Sequence, residues 1–565
     1  MGMGAKNTLA RLAASIGSQD GTEPVFESCA DIQNGGVLFA LPSLLSQGLL
    51  ARVNDHFKLP KGYYSLSSIF ILLAFMALAR LKFVESLKYA SPGEWGKLIG
   101  LDRVPEARTL RQKIRYLSDH DQSKKWSAEL SKNWMADTDS YEAGFLYVDG
   151  HVRVYHGSQT KLPRHYIARD KLCARATCEY WVSAMDGNPF FFVNKTVDPG
   201  LITVLEHEIV PRLEQDIPNQ PTKEELDANR LLPRFTIIFD RAGYSPVFIK
   251  RMWEKRIAVI TYIKNPSEGW PKEEFFSHSA KLGTGESIDL MIAERGIHLG
   301  KKIWAREIRR LRDNDVQGSI VSTNFILSSV SCFVNIISRW CQENFFSYAR
   351  KEFNLDRLID YGIESVSDTI RIVNPKYREI TSDINKLTNL IRKKKAEFGE
   401  ITLDGEIESK NVDEYTRKKA ELLEELKDLE AKKVAKNQEK KTYPRHVLFK
   451  DLSEELKFKQ LRAGGKHLID TIKTIAYRAE TAMASIVREC VPYHDSGVTR
   501  VLLREIYNST IDLRVDDEKK TLTICLHHLA NQCSDKAARH LCEELTETET
   551  LFPGTEYRMI YELVS

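Results

Sequence analysis

The chain has no long apolar run. Its most hydrophobic stretch, IFILLAFMALA from Ile69 to Ala79, is 11 residues long. A membrane span needs about 20, so this stretch reads as a buried core helix and no membrane partner is expected. Met1 to Asp20 holds no continuous apolar core either, so no secretory leader is expected. Cysteine is scarce. There are nine among 565 residues, an odd number, and only Cys173 and Cys178 lie close together before the far C-terminus. No second pair completes four zinc ligands at a standard spacing, and the thiols read as reduced and structural, as in a cytoplasmic protein. An excess of one charge is also missing: 82 Lys and Arg stand against 78 Asp and Glu, a net +4. That excludes a uniformly basic coat, so a DNA partner would require basic residues gathered locally. No repeat at a solenoid period is present.

What is present is an ordinary globular composition, 42% hydrophobic and 28% charged, with length for roughly three or four domains. Residues 1–135 read as a helical region. In SPGEWGKLIG, Ser91 and Pro92 signal a helix start and Gly100 a stop. A second helix begins near Pro105, with Leu110, Ile114 and Leu117 as its apolar stripe and Arg108, Arg111, Lys113 and Arg115 largely elsewhere. Two short helices, the second basic, resemble a helix-turn-helix, and these four cations are the candidate DNA contacts. The alternative is an ordinary helical pair with a solvated basic face.

From Phe145 the pattern changes to strands. FLYVDG is an apolar run that ends on Asp149. Tyr180 to Thr196 reads as a hairpin around Asp186-Gly187-Asn188, and Ile202 to Glu214 as a helix. RFTIIFDRAGYS is a second apolar strand ending on Asp240. Ser245 to Lys255 reads as a helix and Ile257–Ile263 as a buried strand. Three strands, helix, strand, helix, strand is the order of an RNase H-like mixed α/β sheet, expected here over residues 136–375. One more helix should follow about 40 residues beyond Asp240. The best candidate, Ser329 to Phe353, instead carries a glutamate 103 residues after it. A β-rich insertion is therefore expected at about 266–325. Residues 376–441, with Ile380, Ile384, Leu387 and Ile391 and then Leu422, Leu426 and Leu429 at helical spacing, read as a helical hairpin or coiled coil. Residues 442–565 read as an α+β region of unassigned role, dimerisation being one reading.

Two aspartates at the ends of core strands meet on one sheet edge. Carboxylates that close repel unless a cation neutralises them, and hard oxygen ligands suit Mg²⁺ or Mn²⁺. A third carboxylate from a helix would complete a site for two such ions, one activating the attacking water or 3′-hydroxyl and the other stabilising the leaving oxygen. Glu343 is that candidate. Arg339 and Arg350 share its helical face, an arrangement suited to holding metal and phosphates together, and Trp340 is placed to stack on or wedge beside a displaced base; the alternative is a surface ion ladder with Trp340 as a core anchor. Arg241, beside Asp240, reads equally as a phosphate contact or a carboxylate partner. His151 and His156 read as hydrogen-bonding histidines, and His527 and His528 carry no assigned chemistry.

FLYVDG, TIIFDRAGYS and RWCQENFFSYARKEFNLDRL resemble the three catalytic blocks of bacterial insertion-sequence transposases of the DDE type. The branch resembled is the cut-and-paste group with a Tyr-x2-Arg-x3-Glu-x6-Lys signature. Arg339 and Glu343 match it, Arg350 takes the Lys position, and Ile336 replaces the Tyr. The resemblance spans about Phe145 to Arg357. It implies catalytic, metal-binding Asp149, Asp240 and Glu343, and phosphate contacts at the Arg and Lys positions, with no hydroxyl contact from Ile336. It also implies a nucleoid-associated enzyme in the bacterial cytoplasm, acting as a homodimer on double-stranded DNA. That enzyme would cut at paired transposon ends and join the freed 3′-hydroxyl to the opposite strand or to target DNA. Two other readings stand beside it: an RNase H-like nuclease without strand transfer, and a catalytically idle transposase-derived DNA-binding protein.

Overall fold

The structure, a computed structural model, describes residues 7–118, 121–167, 170–282, 287–300, 303–357, 362–401, 409–489 and 496–564. Two sheets organise it. The smaller one joins the two ends of the chain. Strand β1 (Cys29–Ile32) pairs antiparallel with Ile511–Asp516, which pairs antiparallel with Thr521–Leu526, and Arg558–Leu563 closes the sheet in parallel. The helix Gly464–Arg488 packs against Leu66–Leu78 and Gln122–Asp137, so the first and last stretches share one hydrophobic core.

The larger sheet has ten strands. They are β2 (Phe145–Val154), β3 (Arg164–Ile167), β4 (Leu172–Ser183), β5 (Pro189–Lys195), β6 (Phe235–Phe239), β7 (Ile257–Tyr262), β8 (Phe276–Lys281), β9 (Ser287–Leu299), β10 (Ile303–Leu311) and β11 (Gln317–Ser322). Their order is β3-β4-β2-β6-β7-β11-β10-β9-β8, with β5 on β4. β2, β6 and β7 are parallel to one another. Phe235–Phe239 is buried throughout and Ile257–Tyr262 nearly so, as expected of central strands covered on both faces. The β-rich segment expected at about 266–325 extends the same sheet: β11 pairs antiparallel with β7, and β10, β9 and β8 follow outward.

One expectation is corrected. β2 does not end on Asp149 but continues to Val154 along β4. His151 and Arg153 are buried on the strand because they find partners. His151 Nε2 meets Asp356 Oδ1 at 2.6 Å, and Arg153 pairs with Glu179 and lies 3.8 Å from Asp470. Buried charges persist only when paired, and Asp470 on the helix Gly464–Arg488 thereby ties the C-terminal region to β2.

The helix Ser329–Phe353 crosses the sheet with Cys332, Phe333 and Ile336 packed among Ile238, Ile260, Leu290 and Ile308. Asparagine and glutamine pin it from within. Asn335 Oδ1 accepts the Tyr147 hydroxyl at 3.1 Å. Gln342 Nε2 donates to the Tyr147 carbonyl (3.3 Å), the Trp181 carbonyl (3.2 Å) and Ser183 Oγ (3.2 Å). The β4–β5 turn supports it from outside. Helices Pro375–Glu400 and Ser409–Thr442 form an antiparallel arm, cross-linked by Lys394–Glu425 (3.0 Å) and Lys395–Glu430 (2.8 Å), with Ile380, Ile384, Ile391 and Leu426 inside. Among the described residues no helix is long and apolar enough to cross a membrane.

Gly187 in the β4–β5 turn has φ +87°, and a Cβ there would stand 2.7 Å from the Cys341 carbonyl oxygen. A side chain would meet both the left-handed backbone penalty and the helix backbone. Gly187→Ala should therefore lower stability by about 2 kcal/mol, read as a lower urea midpoint. An unchanged midpoint would show that the turn does not bear on the helix.

Candidate active site

The register of β2 on β6 places the first two carboxylates. Val148 faces Phe239 in a parallel ladder, so the next residue on each strand, Asp149 and Asp240, stand side by side, about 5 Å apart along the hydrogen-bonding direction. β6 stops there because Asp240 turns the chain: its Oδ1 accepts the Ala242 N–H at 2.8 Å and caps the short turn Arg241–Gly243. Thr261 Oγ1 on β7 donates to the Asp240 carbonyl at 2.9 Å and fixes that turn from the other side.

The helix Ser329–Phe353 brings the third. Arg339 Nη2 lies 3.5 Å from Asp149 Oδ2 and 3.1 Å from Glu343 Oε1, so one guanidinium spans a strand carboxylate and a helix carboxylate. The Arg339 side chain is 12% exposed, Asp149 21% and Glu343 56%. The Arg339 Nε is buried without a hydrogen-bond partner. A buried donor left unsatisfied is costly, and this one can receive a ligand oxygen. Burial pushes the Asp149 carboxyl up to about 6. The Arg339 charge opposes this, the charges of Asp240 and Glu343 add to it, and the Gly150 N–H, donating at 2.9 Å, opposes it slightly. Asp240 and Glu343 thus both act on Asp149, although the oxygens of the three do not all lie within contact distance. Among the described residues, the group with three ligand atoms all within 4.8 Å of one another is Asp31, Asp512 and His527 in the smaller sheet, where His527 Nε2 meets Asp512 Oδ1 at 3.0 Å.

The remaining expected residues are less gathered. Trp340 is 60% exposed. Arg241 is exposed and, among the described residues, forms no ion pair. Arg350 is half-buried, and its Nε donates to the Phe346 carbonyl at 3.1 Å rather than pairing with Glu343. Ile336 lies in the core, 1% exposed, so that position faces away from any ligand. On the helix Ala107–Leu117, Leu110, Ile114 and Leu117 are buried against the turn Val84–Tyr89 and the helix Gly464–Arg488. Arg108 and Arg115 are exposed, Arg111 lies 3.5 Å from Glu85, and burial lowers the half-buried Lys113. The sequence reading missed Gln342, which anchors the helix one residue before Glu343. Its signal was an amide at a helix position where the neighbouring pattern is apolar. His151 is the hydrogen-bonding histidine expected, and its ring also stacks on Phe346 at 5.1 Å and 10°.

A carboxyl raised from 3.8 to about 6 holds its proton more tightly folded than unfolded. Stability therefore falls as pH rises from about 4 to about 6, by up to about 3 kcal/mol in the metal-free protein. Asp149→Asn should raise the metal-free melting midpoint at pH 7.5 and leave it nearly unchanged at pH 4. Equal midpoints at both pH values would show that Asp149 is not held among neighbouring charges.

No curated protein matches the chain. A cryo-EM structure of a piggyBac transposase synaptic complex with hairpin DNA is similar at 10% identity over 57% of this chain and 69% of that one, with a TM-score of 0.27, too slight a likeness to bear on the fold. The sequence match is far more extensive: the model of a family described as "Transposase protein" covers residues 2–565. The chain belongs to this transposase family.

Proposed function

We propose that the protein is a DDE-type transposase that cuts DNA at transposon ends and joins the freed 3′-hydroxyls to DNA, with Asp149, Asp240 and Glu343 as catalytic residues. The observation that carries this reading is the Arg339 guanidinium between Asp149 and Glu343, with Asp240 on the adjoining strand. Membership of a transposase family supplies DNA as the substrate class. The parallel β2, β6 and β7, the antiparallel β4 and β5, and the helix crossing them support an RNase H-like core.

The residues fit a divalent cation. An all-oxygen donor set carries excess negative charge, and one member is held partly protonated near neutrality by burial and by the other two. Bound between Asp149, Asp240 and Glu343, two Mg²⁺ or Mn²⁺ ions would activate the attacking oxygen and stabilise the leaving one. Arg339 has its Nε to offer a phosphate oxygen. Trp340 and Arg241 stand exposed beside the carboxylates, where a DNA strand at the edge would meet them. Arg108 and Arg115, exposed on one helix of the 1–135 region, are the contacts to duplex DNA we favour, and the 376–441 arm and 442–565 region suit pairing of two protomers on the DNA.

Ala at Asp149, Asp240 or Glu343 should abolish cleavage of labelled transposon-end DNA while changing DNA affinity less than about threefold, and Mn²⁺ titration calorimetry should lose its binding heat in Asp240→Ala. Retained cleavage, or equal heats in wild type and Asp240→Ala, would overturn the assignment. Cleavage without any joined product in the wild type would favour the nuclease reading instead.

A further inference from the structure

A cavity of about 240 Å³ opens between the helices Leu66–Leu78 and Gly464–Arg488 and the turn Val84–Tyr89. Its floor is aliphatic, built from Leu73, Met76, Ile469 and Ile472, and its mouth carries Lys82, Arg111 and Arg357. Among the described residues the single acid there, Glu85, is 3.5 Å from Arg111. Arg357 lies over the Phe83 ring at 4.1 Å, and among the described residues neither Arg357 nor Lys82 has a carboxylate partner. Lys473 lines the same cavity. It is 8% exposed, and its Nζ donates to the Asn354 carbonyl at 3.3 Å. Burial pushes its ammonium down to about 7; Lys466, Arg153 and Arg357 add to that and Asp470 opposes it.

Cations gathered without matching carboxylates repel one another, and an anion in their midst would be held by all of them. The floor decides what kind. An inorganic ion would leave the aliphatic surface in contact with water. A nucleobase would bury edge donors and acceptors against an aliphatic floor that offers no partners. An apolar body suffers neither penalty, and a cavity of about 150 Å³ already admits a benzene ring.

We propose that this cavity binds a small organic anion, its acidic group at the cationic mouth and an apolar body of one ring or a short branched chain on the aliphatic floor. So held, the ligand touches the N-terminal helices, the stretch after the glutamate-bearing helix, and the C-terminal helix at once. This proposal is independent of the carboxylate chemistry.

The full-length protein titrated with 8-anilinonaphthalene-1-sulfonate, an anion with an apolar aromatic body, should show one saturable, blue-shifted site. Lys82→Gln combined with Arg357→Gln, both on exposed side chains, should weaken binding about tenfold. Ile472→Trp, which fills the floor, should abolish it, with circular dichroism checking the fold. Displacement by octanoate or by phenyl phosphate supports the site and shows whether it takes a carboxylate or a phosphate. Unchanged affinity in the double variant, or displacement by neither competitor, would overturn the proposal.

Discussion

The Arg339 guanidinium lies 3.5 Å from Asp149 and 3.1 Å from Glu343, and much of the surrounding structure serves that contact. Three carboxylates at one sheet edge repel one another, and a single buried cation offsets part of that repulsion. For it to do so, the helix that carries both Arg339 and Glu343 must lie at one height over β2. Gln342 sets that height through three hydrogen bonds to β2 and β4, and Gly187 allows the β4–β5 turn to rest on the helix backbone. The strand partner is set by the parallel ladder of β2 and β6, which ranks Asp149 beside Asp240.

The ends of the chain contribute through burial rather than chemistry. Arg80, near the end of the Leu66–Leu78 helix, reaches Glu480 (2.9 Å), Glu352 (3.2 Å) and the Tyr348 hydroxyl (2.7 Å), so the N-terminal segment, the Ser329–Phe353 helix and the C-terminal segment meet in one ion network. On the other side, Lys466 donates to the Leu355 carbonyl and to Asp470, below the His151–Asp356 pair. The helix bearing Glu343 is thus held on its far face by segments more than 100 residues away in either direction.

That distance explains what was legible in the sequence and what was not. The strands through Val148 and Phe239 and the helix Ser329–Phe353 follow from local apolar patterns and caps; Asp149 and Asp240 could be singled out because each sits where an apolar run meets a polar residue, and Glu343 because Arg339 and Arg350 share its helical face. The pairing of Cys29–Ile32 with Ile511–Asp516 leaves no local trace. Nor does the docking of β11 on β7, by which the β-rich segment before the helix Ser329–Phe353 carries the sheet outward. The polar alternation of His151 and Arg153 hid the second half of β2, because their compensating charges lie at Asp356, Glu179 and Asp470. Arg350 shares a helical face with Glu343 on paper, but its Nε turns back to its own helix. Ile336, the position that departs from the resembled signature, is a core residue packed among Ile238, Ile260 and Ile308.

The central claim is that the sheet-edge carboxylates, rather than the tighter Asp31, Asp512 and His527 group, hold the working cation. Anomalous diffraction from crystals soaked in Mn²⁺ tests it most directly. The account predicts density within coordination distance of Asp149, Asp240 and Glu343, with the Arg339 guanidinium drawn away from at least one of them. Density confined to Asp31, Asp512 and His527, with Arg339 still bridging Asp149 and Glu343, would contradict it.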